Sequence, residues 1–189
     1  MKKILTLCFI VSITLNLTAQ TRKERKAEKK AQLEAQYQSI ITLIESGSFN
    51  FEATRAIPLG NDIANIGRSL QAGSAVFQGN TVNLVGNDNY VNINNGDADI
   101  FLPFFGRVFI PKRNPSESGI KYKGEIIKNK TSFNSKKKRI ILSFDAKKNN
   151  ESLKFSFVIS PGGHTRLTVN SSTRQSITYM GKIKPLPTL

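Results

Sequence analysis

From Gly47 onward, apart from the stretch Asn61 to Gly79, the apolar residues of this chain recur mostly at every second position, and they keep doing so almost to the C-terminus. Side chains at i and i+2 share one face of an extended strand, so a period of two sustained this long commits the chain to sheet. Phe49 and Phe51 open the series, and Ile57-Pro58-Leu59-Gly60 closes its first strand. Ile120, Tyr122, Gly124 and Ile126 alternate, then Ile140, Leu142 and Phe144, then Leu153, Phe155, Phe157 and Ile159. Leu167 and Val169 follow, and Ile177, Tyr179, Gly181 and Ile183 make the last strand. Turn-forming strings separate them: Lys147-Lys148-Asn149-Asn150, Ser160-Pro161-Gly162-Gly163 and Ser171-Ser172-Thr173. Short alternating strands joined by tight turns predict a mainly β (α+β) fold, an antiparallel β-sandwich or a partly closed barrel.

One hairpin can be placed residue by residue. Asn95-Gly96 suits the central positions of a type I′ turn, where both residues need positive φ. Counting outward pairs Ile93 with Ala98 and Val91 with Ile100 on one face, and Asn92 with Asp99 and Tyr90 with Phe101 on the other. The register agrees with the hydrophobic pattern. A preceding strand, Thr81 to Val85, is expected in the same sheet. The stretch from Asn61 to Gly79 is poorly periodic and reads as irregular, with Ile63, Ile66 and Leu70 as packing points.

Before Gly47 the pattern is helical. Thr21 and Glu24 have capping-box spacing, no Gly or Pro intervenes up to Glu45, and Leu33, Tyr37, Ile40, Ile41 and Ile44 recur at helical intervals. An amphipathic helix over residues 20–47 is predicted, covering a sheet face or a barrel end. Its first half carries Arg22, Lys23, Arg25, Lys26, Lys29 and Lys30 with little to bury. Such a start can lie on an anionic membrane or fray in water, and the late onset of the apolar stripe favours fraying.

The first nineteen residues have a different character. Lys2 and Lys3 precede an apolar run from Ile4 to Leu17, and Leu17-Thr18-Ala19-Gln20 fits cleavage between Ala19 and Gln20. These are the marks of a secretory signal peptide. The run is shorter than the roughly 20 apolar residues of a membrane span. The expected organisation is a signal peptide over 1–19, the basic helix over 20–47 and a single antiparallel β domain over 48–189. Cys8, the sole cysteine, would leave with the signal peptide. It sits too early in the apolar run for lipidation, and the mature chain would have neither a disulfide nor a thiolate.

The whole chain has 28 Lys plus Arg against 13 Asp plus Glu, a net +15, which becomes +13 once Lys2 and Lys3 are removed. Such a balance favours anionic surroundings, and export makes nucleic acid an unexpected partner. The densest basic run, Lys136-Lys137-Lys138-Arg139, falls in a turn between the Thr131–Phe133 and Ile140–Phe144 stretches. It is read either as protection of a strand edge or as a patch for phosphate and carboxylate groups of the envelope.

Catalytic patterns are missing. Gly-x-Ser-x-Gly, His-Glu-x-x-His and a phosphate-binding glycine loop are absent. His164, the one histidine, follows a Pro-Gly-Gly turn and is expected to be exposed and idle. Asp97 and Asp99, with Asn92, Asn94 and Asn95, gather oxygens in the manner of a loose calcium site, but turn propensity explains the same residues. No cofactor is expected.

The string Phe101-Leu102-Pro103-Phe104-Phe105-Gly106-Arg107-Val108-Phe109 places four aromatics among nine residues. Its Leu-Pro-Phe-Phe-Gly-Arg, with Ser118-Gly119-Ile120-Lys121-Tyr122 and the closing Ile177-Thr178-Tyr179-Met180-Gly181-Lys182-Ile183, resembles the secreted bacterial family known as domain of unknown function 4251. The likeness runs from about Phe49 to Ile183. It implies export and a mainly β domain and carries over no catalytic residue.

The functional expectation is a non-enzymatic binding or structural module, periplasmic, secreted or at the outer-membrane surface, meeting anionic envelope components or glycolipid without a transmembrane span of its own. The alternative is a carrier of a small apolar ligand, its cavity lined by Phe101, Phe105, Phe144, Phe155 and Phe157. A filled core is the simpler account of those rings.

Overall fold

The computed structural model describes the backbone of residues 2–59, 77–78, 80–110 and 119–187, and the side chains of these from residue 22 onward except 77–78. The irregular reading of residues 61–79 lies outside the described residues, apart from a two-residue strand at 77–78. The side chains of Cys8, Ala19 and Gln20 also lie outside them. Among the described residues no helix is long and apolar enough to cross a membrane.

Among the described residues one helix, α1 (Lys2–Glu45), precedes eleven strands: β1 (Ser48–Pro58), β2 (Phe77–Gln78), β3 (Thr81–Asn83), β4 (Tyr90–Asn94), β5 (Asp97–Leu102), β6 (Ile120–Glu125), β7 (Ile127–Asn134), β8 (Arg139–Lys148), β9 (Glu151–Ile159), β10 (His164–Ser171) and β11 (Ile177–Pro185). They hydrogen-bond in the order β6-β5-β4-β1-β11-β10-β9-β8-β7, with β3 on the flank of β1 and β2 on β3. Every pairing is antiparallel. The two ends of this path, β6 and β7, are separated in sequence only by Ile126, and they run in the same direction. They are two halves of one bent strand, the first paired to β5 and the second to β8, so the sheet curls into a nearly closed barrel. Of the two architectures expected from the sequence, the barrel is the one formed.

The bend has local causes. Gly124 (φ +147°) and Lys128 (φ +53°) leave the extended region, and the β7–β8 register shifts between Ile127 and Lys130. The Tyr122 hydroxyl donates to the Glu125 carbonyl across the kink. Burial, followed by the nearby charges of Glu125 and Asp97, raises the Tyr122 pKa and keeps the hydroxyl a donor.

The hairpin at Asn95-Gly96 has the predicted register, Val91 opposite Ile100 and Ile93 opposite Ala98, and both turn residues have positive φ. Inside the barrel Phe144 stacks on Phe155 with ring centroids 4.9 Å apart and on Phe157 at 5.9 Å, and Phe51 meets Phe157 edge-on at 5.8 Å. These rings are at most 1 % exposed. Each contributes about 1.5–3 kcal/mol by leaving water.

Helix α1 closes one barrel end. Tyr37, Ile40 and Ile44 join the core, while Leu33 remains 44 % exposed. The stripe therefore starts one turn later than the sequence pattern suggests. The basic first half stays helical rather than fraying, with its described side chains from Arg22 to Leu33 in solvent. Ala, Lys, Glu and Gln are strong helix formers, which suits a backbone with no tertiary partner.

Candidate functional site: a basic pocket on the barrel wall

The pocket is set by an irregularity in β1. Ala53 pairs with Gly181, but Arg55, two residues on, pairs with the adjacent Met180, so Thr54 is an extra residue in the ladder. Its backbone carbonyl accepts from Leu84 N at 2.9 Å, and its hydroxyl donates to the Met180 carbonyl at 3.1 Å. Such a bulge re-aims the next side chain. Ala53 and Ala56 both point into the core, and Arg55 points out.

Strand pairing extends this row across the outer wall. Arg55 on β1 and Arg166 on β10 flank Met180 of β11, and Arg166 is in turn opposite Val158 of β9. Val158 pairs with Ile141 of β8, and Arg139 lies two residues before Ile141 on the same exposed face. Arg55, Arg139 and Arg166, together with His164, Ser160, Val158 and Met180, line a concavity of about 440 Å³.

Among the described residues no carboxylate lines it. Glu52, on the register row that runs through Lys182 to His164, is held by Lys184 at 2.6 Å. Among the described residues, no side chain pairs with Arg55, Arg139, Arg166 or His164. Three cations with no counter-charge in one hollow repel each other, and an anion relieves that repulsion.

The four basic residues read as one patch have separate places. Lys138, at φ +49°, reaches Glu34 of α1 at 2.5 Å and lies 5.2 Å from the centre of the Tyr37 ring. It fastens the helix to the barrel rim. Lys136 and Lys137 are exposed on the turn, and only Arg139 lines the pocket. His164 is exposed at the start of β10, as expected, but beside the arginines.

Of the five hairpin residues read as a loose calcium site, Asn92, Asn94 and Asp99 have side-chain partners. Asn92 Oδ1 accepts from Asn50 at 2.6 Å, Asn94 Oδ1 accepts from Ser48 at 2.9 Å, and Asp99 faces Lys123 at 3.6 Å. Among the described residues no three His, Cys, Asp or Glu side chains gather as a metal site. Of the phenylalanines considered for a carrier cavity, Phe144, Phe155 and Phe157 fill the core with one another. Phe101 lies on the outer face beside Tyr90 and Lys121, and Phe105 is half-buried.

The aromatic string closes the opposite barrel end. Tyr179, fully buried, donates to the Pro103 carbonyl at 2.7 Å, and burial raises its pKa far above the usual phenol range. Arg174 lies over the Phe104 ring at 5.4 Å, donates to the Gly119 carbonyl at 3.0 Å and forms a buried ion pair with Glu151, Nε to Oε1 3.0 Å. Gln175 accepts from Arg107 N and donates to the Leu59 carbonyl. These bonds tie the string to the β10–β11 connection as a structural cap.

Arg55 and Arg166 had no distinguishing signal in the sequence. Each is a lone arginine at an outward position, and only the order β1-β11-β10-β9-β8 brings them together.

A family model described as Domain of unknown function (DUF4251) matches residues 31–183. A crystal structure of a DUF4251 family protein from Bacteroides eggerthii is similar in fold, with a TM-score of 0.55 at 19 % identity, over 80 % of this chain and 88 % of that one. No curated protein matches the chain.

Proposed function

Because the chain belongs to the family of domain of unknown function 4251, whose description names no activity, we propose a function from the chemistry of the barrel wall. The protein is an exported, non-enzymatic binding module of the cell envelope, periplasmic or at the outer membrane, that captures anionic envelope components. The observation that carries this reading is the hollow lined by Arg55, Arg139 and Arg166, with no carboxylate among the described residues that line it. Guanidinium groups present planar forks of donors that match phosphate and carboxylate oxygens. The signal-peptide pattern of residues 1–19 supports the compartment, and the net +13 of the remaining chain supports long-range attraction to anionic surfaces.

The test is retention on an anionic envelope fraction prepared from the native host, measured against salt. The protein is expected to bind at low ionic strength and to be released between about 0.1 and 1 M salt, as the screening length contracts from about 10 to 3 Å. Replacing Arg55 and Arg166 together by Gln is expected to abolish most of the retention. Retention no greater than that of a neutral protein would contradict the reading.

A further inference from the structure

The pocket carries more detail than a preference for negative charge. Arg55 and Arg166 approach from opposite sides of Met180, one strand away on each side. Neighbouring strands are about 4.8 Å apart, so their Cα atoms stand about 10 Å from each other, within reach of two arginines converging on one group. Arg139, on β8, lines the far side of the hollow, four strands and about 19 Å from Arg55. Two hydroxyls in the wall are already committed, Thr54 to the Met180 carbonyl at 3.1 Å and Thr165 to the Gly163 carbonyl at 2.9 Å. Ser160 and His164 retain free side-chain hydrogen-bonding groups.

Two forks facing each other across Met180 suit a group with three terminal oxygens and two negative charges better than a planar carboxylate, whose two oxygens one fork satisfies. The hollow of about 440 Å³ is within the range of small-molecule sites and far exceeds a bare oxyanion. Val158 and Met180 give it an apolar wall against which a carbon skeleton can lie. We propose that the pocket binds an organic phosphomonoester, with the phosphate held by Arg55 and Arg166 over Met180 and the attached skeleton laid along Val158 toward Arg139. This inference rests on the anion-binding reading above and narrows it to one chemical class.

Isothermal titration of the purified protein with glucose 6-phosphate, glucose 6-sulfate and glucuronate tests it, alongside vesicles containing phosphatidic acid or phosphatidylglycerol. Glucose 6-phosphate or phosphatidic acid is expected to bind at least about tenfold more tightly than its sulfate, carboxylate or phosphodiester counterpart, a difference of one good charge-assisted contact. Whichever of the two binds identifies a soluble or a lipid-borne phosphate. Arg166→Gln and Arg55→Gln should each weaken that binding about tenfold with unchanged circular dichroism. The double change Lys136→Gln and Lys137→Gln, outside the pocket, should leave it unaltered. Equal affinity for all the anions, still lost in Arg166→Gln, would overturn the phosphomonoester assignment and leave anion capture standing. Binding of none of them, or binding indifferent to Arg55 and Arg166, would overturn both.

Discussion

Gly181 of β11 passes so close to Glu52 of β1 that a Cβ on it would lie 2.0 Å from the Glu52 carbonyl oxygen and 2.9 Å from the Ala53 Cα. Both obstacles are backbone, and they border the Thr54 bulge that turns Arg55 outward. The absent side chain at 181 and the arginine pocket are therefore products of one irregularity. Gly181→Ala must push the two strands apart. A loss of about 3 kcal/mol is expected, the upper end for overpacking, seen as a melting temperature about 6–12 °C lower. A variant that melts with the parent would show that the strands are not in this contact.

Glu151 and Arg174 are 6 % and 3 % exposed, and Ser171 adds a hydrogen bond to Glu151 Oε1 at 2.8 Å. Removing one member leaves the other charged and buried. Arg174→Met is expected to cost about 3–5 kcal/mol, whereas the double change with Glu151→Leu should cost distinctly less. Denaturant unfolding of Arg174→Met, Glu151→Leu and the double variant measures the difference. Additive losses would contradict the coupling.

The contact between Glu34 and Lys138 gives helix docking a dependence on pH. The hydrogen bond from Lys138, then that from Gln38, holds the Glu34 carboxyl below its ordinary pKa. The contribution is fully present above the unfolded carboxylate pKa and is lost as pH falls through the lower folded value. The melting temperature of Lys138→Gln should therefore lie below that of the parent at pH 7, and the gap should narrow toward pH 3. A gap that widens in acid would reverse the assignment.

Tyr37 of α1 buries its hydroxyl with no hydrogen-bond partner among the described residues. An unsatisfied buried polar group is a cost. Tyr37→Phe is accordingly expected to be neutral or to stabilise the protein by up to about 1 kcal/mol. Thermal unfolding decides it, and a loss of more than about 1 kcal/mol would mean that the hydroxyl has a bonding role.

The legible part of the fold was the part encoded locally. A period of two located the long strands, and Asn95-Gly96 specified its hairpin residue by residue because that turn needs positive φ at both positions. What escaped depends on distant pairing. β1 joins β11, the first and last strands of the barrel, and no local pattern reports that contact. The fusion of β6 and β7 into one bent strand turns on Gly124 and Lys128, whose conformations are settled by the barrel. The site followed the same division. Arg139 was visible within a basic run, although its neighbour Lys138 is engaged with the helix, while Arg55 and Arg166 became a site only through strand order. His164 was seen, but its arginine neighbours were not.

The central claim is that anions are captured on the outer wall at the Arg55, Arg139 and Arg166 hollow. Titration of isotopically labelled protein with inorganic phosphate, following the arginine Nε–H signals and the His164 ring by NMR, tests it most directly. The account predicts saturable shifts confined to Arg55, Arg139, Arg166 and His164. Shifts centred on Lys136 and Lys137 or on the basic half of α1, with those four signals unmoved, would contradict it.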